Sequence, residues 1–263
     1  MKMRVFVTGG SGFVGGALVR RLVTDGHEVV GLARSDVSTQ RLRAAGAVPV
    51  AGDLTEPERS GPDATAPTWL SALQHVDAVV HVAAHMEFWG PDSLFERANL
   101  VPTVALHAAS VDAGVRRFVL VSAASVSTGS QRRPVVDESM PDGRPNTAYS
   151  RVKLATEHTV LAAESGNTEL VVLRPPFIWG RGMTTIDAIA AAAESGRFAW
   201  IDDGRHIVDV TGRPVPGHRR RQPRTHHLRS RVRQALRRRT ATRQQRPNQR
   251  AASLEQRRRP GRE

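Results

Sequence analysis

Short apolar runs alternate with stretches of helical period through the first four fifths of the chain. Met3–Thr8 is a β-branched run, and Phe13–Thr24 after it repeats apolar positions at the spacing of one helix face. Glu28–Ala33 and Ala47–Ala51 read as the next strands, and Ala78–Val82 and Phe118–Val121 have the length of buried strands. Between the last two lies a helical stretch over Phe95–Ala113, and a helix over Thr147–Glu164 leads into a strand at Glu169–Leu173. Strands alternating with helices at this spacing predict an α/β fold: a doubly wound parallel sheet covered on both faces.

Past about Ile207 the periodicity stops. All twelve Phe, Trp and Tyr residues precede position 201, and the few apolar residues after it follow no period. The charge changes at the same place. Residues 1–212 hold 20 basic and 23 acidic residues, a net charge of −3, whereas residues 213–263 hold 18 Arg and 2 acidic residues, a net of +16. The overall +13 therefore describes neither part. So charged a segment cannot offset its ordering entropy by burial, so disorder is expected there. The expected division is a nucleotide-binding body over 1–205 and an Arg-rich tail over 206–263, with the C-terminal substrate lobe truncated or disordered. There is no Cys, which excludes disulfides and thiolate metal sites. The N-terminal apolar stretch Val5-Phe6-Val7 is too short for a signal peptide or a membrane span, so a soluble cytoplasmic protein is expected.

The first chemical signal is Thr8-Gly9-Gly10-Ser11-Gly12-Phe13-Val14-Gly15, between a strand and a helix. Gly9 permits the tight turn, Gly12 admits a pyrophosphate to the backbone, and Gly15 lets helix and strand pack closely. Phosphate then sits at the N-terminus of the helix opened by Phe13 and Val14, near free N–H groups. An NAD site usually places an acidic residue at the end of the second strand, but here Ala33 is followed by Arg34. A guanidinium suits a 2′-phosphate, which favours NADP, with NAD as the other choice.

Tyr149 is the only tyrosine and Lys153 one of two lysines. Four residues apart in a helical segment, they share a face, and a nearby ammonium brings a phenol toward service as a general acid/base. The competing reading is a half-buried tyrosine beside a surface lysine.

These motifs resemble the extended short-chain dehydrogenase/reductase family, in its 3β-hydroxysteroid dehydrogenase-like and epimerase/dehydratase-like branch, over residues 3–205. Thr8–Gly15 resembles its TGxxGxxG loop, and Asp53-Leu54 its acidic-aliphatic pair at the adenine. His81-Val82-Ala83-Ala84 is similar to the segment lining the nicotinamide, and Asn99 matches a structural asparagine. Tyr149 and Lys153 match the YxxxK pair, while Arg174-Pro175-Pro176-Phe177-Ile178-Trp179-Gly180 resembles the stretch that closes over the cofactor. The resemblance implies a Rossmann fold and an NAD(P)-dependent oxidoreductase acting on a hydroxyl or carbonyl carbon of a small molecule. It implies Tyr149 as the acid/base, and Lys153 as the residue that binds ribose and lowers the tyrosine pKa. It also implies a homodimer built on the helix carrying Tyr149. One position departs from the pattern. The catalytic serine falls on Ala124 when counted back from Gly129, which leaves Ser125 as the candidate, with Ser122 behind it.

Other residues carry less. His81 and His85 are spaced like a metal pair but have no accompanying cluster, so no metal is expected. Met86–Gly90 reads equally as a wall of the substrate pocket or as a packed loop. Trp69 and Trp200 read as core. Three readings of the tail compete: a frameshifted end of a GC-rich gene, a basic tail binding nucleic acid, or an unfamiliar folded lobe. The functional alternatives are thus an oxidoreductase, a non-catalytic NADP(H)-binding sensor, and a nucleic-acid binder working through the tail.

Overall fold

The computed structural model describes residues 1–55, 67–87, 89–127, 142–180, 182–197, 199 and 210–212. Trp200 and, of the Arg-rich tail expected over 206–263, all but residues 210–212 lie outside them. Two compact units divide the chain, Met1–Pro176 and Phe177–Glu263. That division follows contacts, whereas the boundary drawn near residue 205 follows composition.

In the first unit six parallel strands form one sheet: β1 (Arg4–Thr8), β2 (Glu28–Ala33), β3 (Val48–Ala51), β4 (Ala78–His81), β5 (Arg117–Val121) and β6 (Glu169–Leu173). Their order is β3-β2-β1-β4-β5-β6, and every neighbouring pair is parallel. This is the doubly wound Rossmann arrangement that the sequence pattern predicts. Strand order reverses between β1 and β4, so the crevice for a ligand opens at their carboxyl ends.

The strands read as unbroken apolar runs because alternate side chains enter two different cores. Phe6, Val30, Leu32, Val79, Phe118 and Leu120 point into one, where Trp69, Leu73 and Leu106 pack on them. Val5, Val7, Val29 and Ala33 point into the other, against Val19 of α1 (Phe13–Thr24) and Leu42 of α2 (Asp36–Ala44). Sheets buried on both faces lose the polar alternation of a half-exposed strand. A short helix α3 (Thr68–Ser71) supplies Trp69, which is buried as expected of a core residue.

The single helix expected over Phe95–Ala113 is three segments. Helix α4 (Asp92–Phe95) runs into a π turn at Glu96–Leu100, and then into α5 (Val101–Asp112). In the π turn the Val101 N–H reaches back to the Glu96 carbonyl. Pro102, in the first turn of α5, has no N–H to continue the ordinary ladder. Helix α6 (Ala148–Ala162) begins at Thr147, whose hydroxyl accepts from the Ser150 N–H and so caps it. No helix among the described residues is long and apolar enough to cross a membrane.

In the second unit β7 (Phe177–Trp179) pairs in parallel with β8 (Val210–Gly212), and α7 (Thr184–Glu194) lies between them in the chain. Strand pairing therefore extends to Gly212, a few residues beyond the point where the hydrophobic pattern fades.

Candidate active site

The glycine loop joins β1 to α1 in a backbone that only glycine accommodates at two points. Gly9 has φ +67°, and a Cβ there would stand 2.7 Å from the Ala83 nitrogen. A Cβ on Gly15 would stand 2.1 Å from the Gly9 carbonyl oxygen, so helix and turn are in direct backbone contact. At Gly12 the situation differs. Its N–H donates to the Gly9 carbonyl (3.0 Å), and a Cβ there would meet only that oxygen, at 3.2 Å. Gly12 is also the N-cap of α1, with no capping side chain and no acidic residue in the first turn. Helix α1 thus begins at Phe13 and Val14 without a capping side chain at its N-cap, beside a space that any residue but glycine would fill. That arrangement fits a dinucleotide pyrophosphate.

A directional chain of hydrogen bonds fixes the segment opposite. The Thr103 hydroxyl donates to the Asn99 carbonyl, so it accepts from His81 Nε2–H (2.9 Å). The other nitrogen, Nδ1, then accepts from the Thr8 hydroxyl (2.7 Å), which itself accepts from the Ala83 N–H (3.2 Å). Burial, with the Lys153 charge as a smaller cause, pushes the His81 pKa down to about 3, so the ring stays neutral and the chain keeps its direction. With both nitrogens engaged, His81 offers no lone pair to a metal. Asn99, buried in the π turn, clamps the next residues: its Oδ1 accepts from the His85 N–H (2.7 Å) and its Nδ2 donates to the His85 carbonyl (3.1 Å). Val82, Ala83 and Ala84 are thereby held between two anchors, with Ala83 against Gly9.

Tyr149 and Lys153 lie one turn apart on α6, as the spacing predicts. The Tyr149 ring packs edge-on against Phe95, with ring centroids 6.2 Å apart, and Phe95 in turn meets His85 at 5.5 Å. Among the described residues nothing hydrogen-bonds the Tyr149 hydroxyl. Lys153 is 2 % exposed and donates to the Val121 carbonyl at the end of β5 (2.8 Å). The bland reading of a surface lysine is therefore excluded.

The electrostatics correct one expectation. Lys153 was expected to lower the tyrosine pKa, but burial raises the Tyr149 phenol above its ordinary value, and desolvation also brings Lys153 down to about 8. The lysine is directed to a carbonyl, and both groups are withdrawn from water, so desolvation dominates each.

Ala124 opens a 3-10 turn (Ala124–Ser127), its N–H donating to the Pro175 carbonyl (2.9 Å). Within the turn Ser125 is half-buried, and its hydroxyl oxygen accepts from Ser150, which accepts from Thr147, both at 2.8 Å. Ser122 is 4 % exposed, and its hydroxyl has no partner among the described residues. Of the two serines weighed, Ser125 is the one that is both accessible and oriented by the helix of Tyr149.

Asp53 turns its carboxylate to the Thr55 N–H (2.9 Å) and hydroxyl (2.8 Å), and stands 3.8 Å from Arg34. Leu54 packs on the first core. The Arg34 side chain is 72 % exposed just past the end of β2. Met86 and Trp89 are 75 % and 87 % exposed, so this stretch is not a packed loop; Phe88 lies outside the described residues.

Thr103, Ser150 and Glu157 were not singled out from the sequence, and Thr8 only as the first residue of the glycine loop. Of the three, Glu157 had a legible signal, as the third member of a series at spacing four with Tyr149 and Lys153.

Comparison with known proteins agrees with this geometry. A 4-hydroxy-2-methyl-3-oxo-4-farnesyl-3,4-dihydroquinoline-1-oxide ketoreductase of Stigmatella aurantiaca is 36% identical over 210 residues, 79% of this chain and 60% of that protein. A 2-alkyl-3-oxoalkanoate reductase of Stenotrophomonas maltophilia is 35% identical over 214 residues, 80% of this chain and 61% of that protein. The chain thus spans about 60% of the length of these curated relatives. Among solved structures, MoeE5 in complex with UDP-glucose and NAD superposes with a TM-score of 0.63 and 27% identity, covering 80% of this chain and 67% of MoeE5. The model of the NAD dependent epimerase/dehydratase family matches residues 5–211, from the first strand through the last described one, and the chain belongs to that family.

Proposed function

We propose that this chain is the nucleotide-binding part of an NADP-preferring oxidoreductase that interconverts a ketone and a secondary alcohol. The observation that carries the reading is the buried Lys153 one turn from Tyr149 on α6, bonded to the end of β5, in the same unit whose glycine loop brings Gly9 against Ala83. The nicotinamide, when bound, supplies or accepts the hydride. In this reading Gly9, Gly12, Phe13, Val14 and Gly15 receive the pyrophosphate, Asp53 and Leu54 border the adenine, and Val82, Ala83, Ala84 and Pro175 line the nicotinamide side. Tyr149 gives its proton to the substrate oxygen during reduction and takes it back during oxidation. Lys153 binds ribose hydroxyls, and Ser125 donates a hydrogen bond to the substrate oxygen in place of the alanine beside it.

The preference for NADP rests on Arg34, exposed where an acidic residue would hold the ribose of NAD. The ketone reading draws on the two similar reductases, and on the apolar Met86 and Trp89 exposed just beyond the clamped His85. A non-catalytic NADP(H)-binding role has one observation in its favour: Tyr149 is shifted away from the neutral range.

Consumption of NADPH with a panel of 3-oxo esters and cyclic ketones tests the reading, with Tyr149→Phe as the comparison. The expected result is turnover that falls on the order of 10²–10⁴-fold in the variant while NADPH binding persists. Binding without turnover in either protein would favour the non-catalytic role.

A further inference from the structure

Glu157 lies one turn beyond Lys153 on α6 and is 0 % exposed. Its Oε2 accepts from Arg174 Nε (2.9 Å) and from Nη2, while its Oε1 is buried and meets no donor among the described residues. Arg174, just past β6, extends two further bonds: Nη1 to the Ser127 hydroxyl (3.1 Å) and Nη2 to Asp142 (2.7 Å). Asp142 also pairs with His158 (2.7 Å).

A half-satisfied carboxylate at zero exposure is costly, and an arginine alone rarely justifies one, since apolar replacement of a buried pair is often neutral or stabilising. Lys153 supplies the reason. It is the other buried ion on this helix, and among the described residues its three N–H donors meet one carbonyl, that of Val121. The groups facing it from its neighbours provide no other negative charge. His81 on β4 is neutral, Tyr149 on α6 is an uncharged phenol, and Arg174 is itself a cation. Asp142 is held by Arg174 and His158, away from the lysine's own bonds. Among the described residues only Glu157 balances Lys153. The same carboxylate, through Arg174 and Ser127, anchors the last residue of the turn that carries Ser125.

We propose that Glu157 is a positioning residue of the cofactor site, which keeps Lys153 an ammonium and ties the Ser125 turn to the helix of Tyr149. The proposal rests on Lys153 being the cation of that site. Burial pulls the lysine down to about 8, and the Glu157 charge opposes that fall. Loss of the charge leaves burial unopposed.

The composition makes the test direct, because Lys2 and Lys153 are the only lysines and Lys2 is exposed. With lysine labelled by carbon-13 at Cε, the full chain gives two titrating signals, and Lys2→Arg assigns them. In Glu157→Gln the Lys153 signal is expected to titrate lower than in wild type by about one pH unit or more, the size of effect of an opposite charge at close range. The alkaline limit of NADPH binding is expected to move with it. A structural role alone would lower the melting temperature and leave the Lys153 titration in place, and that result overturns the proposal. If Glu157→Gln does not fold, Glu157→Asp keeps the charge but withdraws it by one methylene. Lys153 then titrates lower by a smaller amount, and an unmoved titration again overturns the proposal. Wild-type protein that shows the coupling but binds no NADPH would refute the oxidoreductase reading and leave the Lys153–Glu157 coupling standing.

Discussion

Ser125 accepts from Ser150 and is thereby held against the helix of Tyr149. Ser125→Ala is therefore expected to lower kcat by about 10²-fold with little change in NADPH affinity, the loss typical of one oxyanion donor. Steady-state kinetics on the best ketone checks this, and an unchanged kcat would remove Ser125 from the site. His81 gives a prediction for acid stability. Its folded pKa of about 3 lies below its ordinary 6.5, so between those values the unfolded chain binds the proton that the folded one refuses. Its contribution is whole above pH 6.5 and is lost as pH falls toward 3, on the order of a few kcal/mol. Denaturant titrations of wild type and His81→Asn across that window should show the wild type losing more.

Among the elements, the π turn deserves its place because it delivers Asn99 to the backbone of His85 from both sides. Asn99→Leu is expected to cost about 1–3 kcal/mol, since it strands a buried N–H and carbonyl, and to weaken NADPH binding as Ala83 loses its outer anchor. Urea unfolding together with cofactor titration separates the two effects; a fully stable variant with normal affinity would contradict the clamp. The sequence carried much of this level. Strands β1, β2, β4, β5 and β6 were legible because burial on both faces makes continuous apolar runs, and α1 and α6 because their glycine loop and capping threonine mark where they start. Helix α2 was not, since Leu42 is its only buried residue and the rest faces water. The π turn was equally hidden: apolar period continues through it, and only the main-chain bonds show the extra residue. The Thr8–His81–Thr103 chain joins residues far apart in sequence, so no local pattern could suggest it.

Across the whole first unit, two signals far apart in the chain meet at the carboxyl end of one sheet. The glycine loop and the Tyr149–Lys153 pair stand some 140 positions apart, and the parallel order β1-β4-β5-β6 puts the end of β1 and the end of β5, to which Lys153 bonds, on the same side with only β4 between them. This is why each motif, ambiguous alone, gained weight from the other even before the fold was in view. The protonation states were the illegible part. Spacing placed a lysine beside a tyrosine, but depth of burial decides their charges, and depth comes only with the packed structure. If the glycine loop and Lys153 form a working dinucleotide site, fluorescence titration of the full chain with NADPH and with NADH reveals it. Saturable NADPH binding with Kd of about 10 μM or tighter is predicted, roughly 7 kcal/mol, weaker for NADH and weakened selectively for NADPH by Arg34→Glu. No saturation by either nucleotide up to millimolar concentration would contradict it.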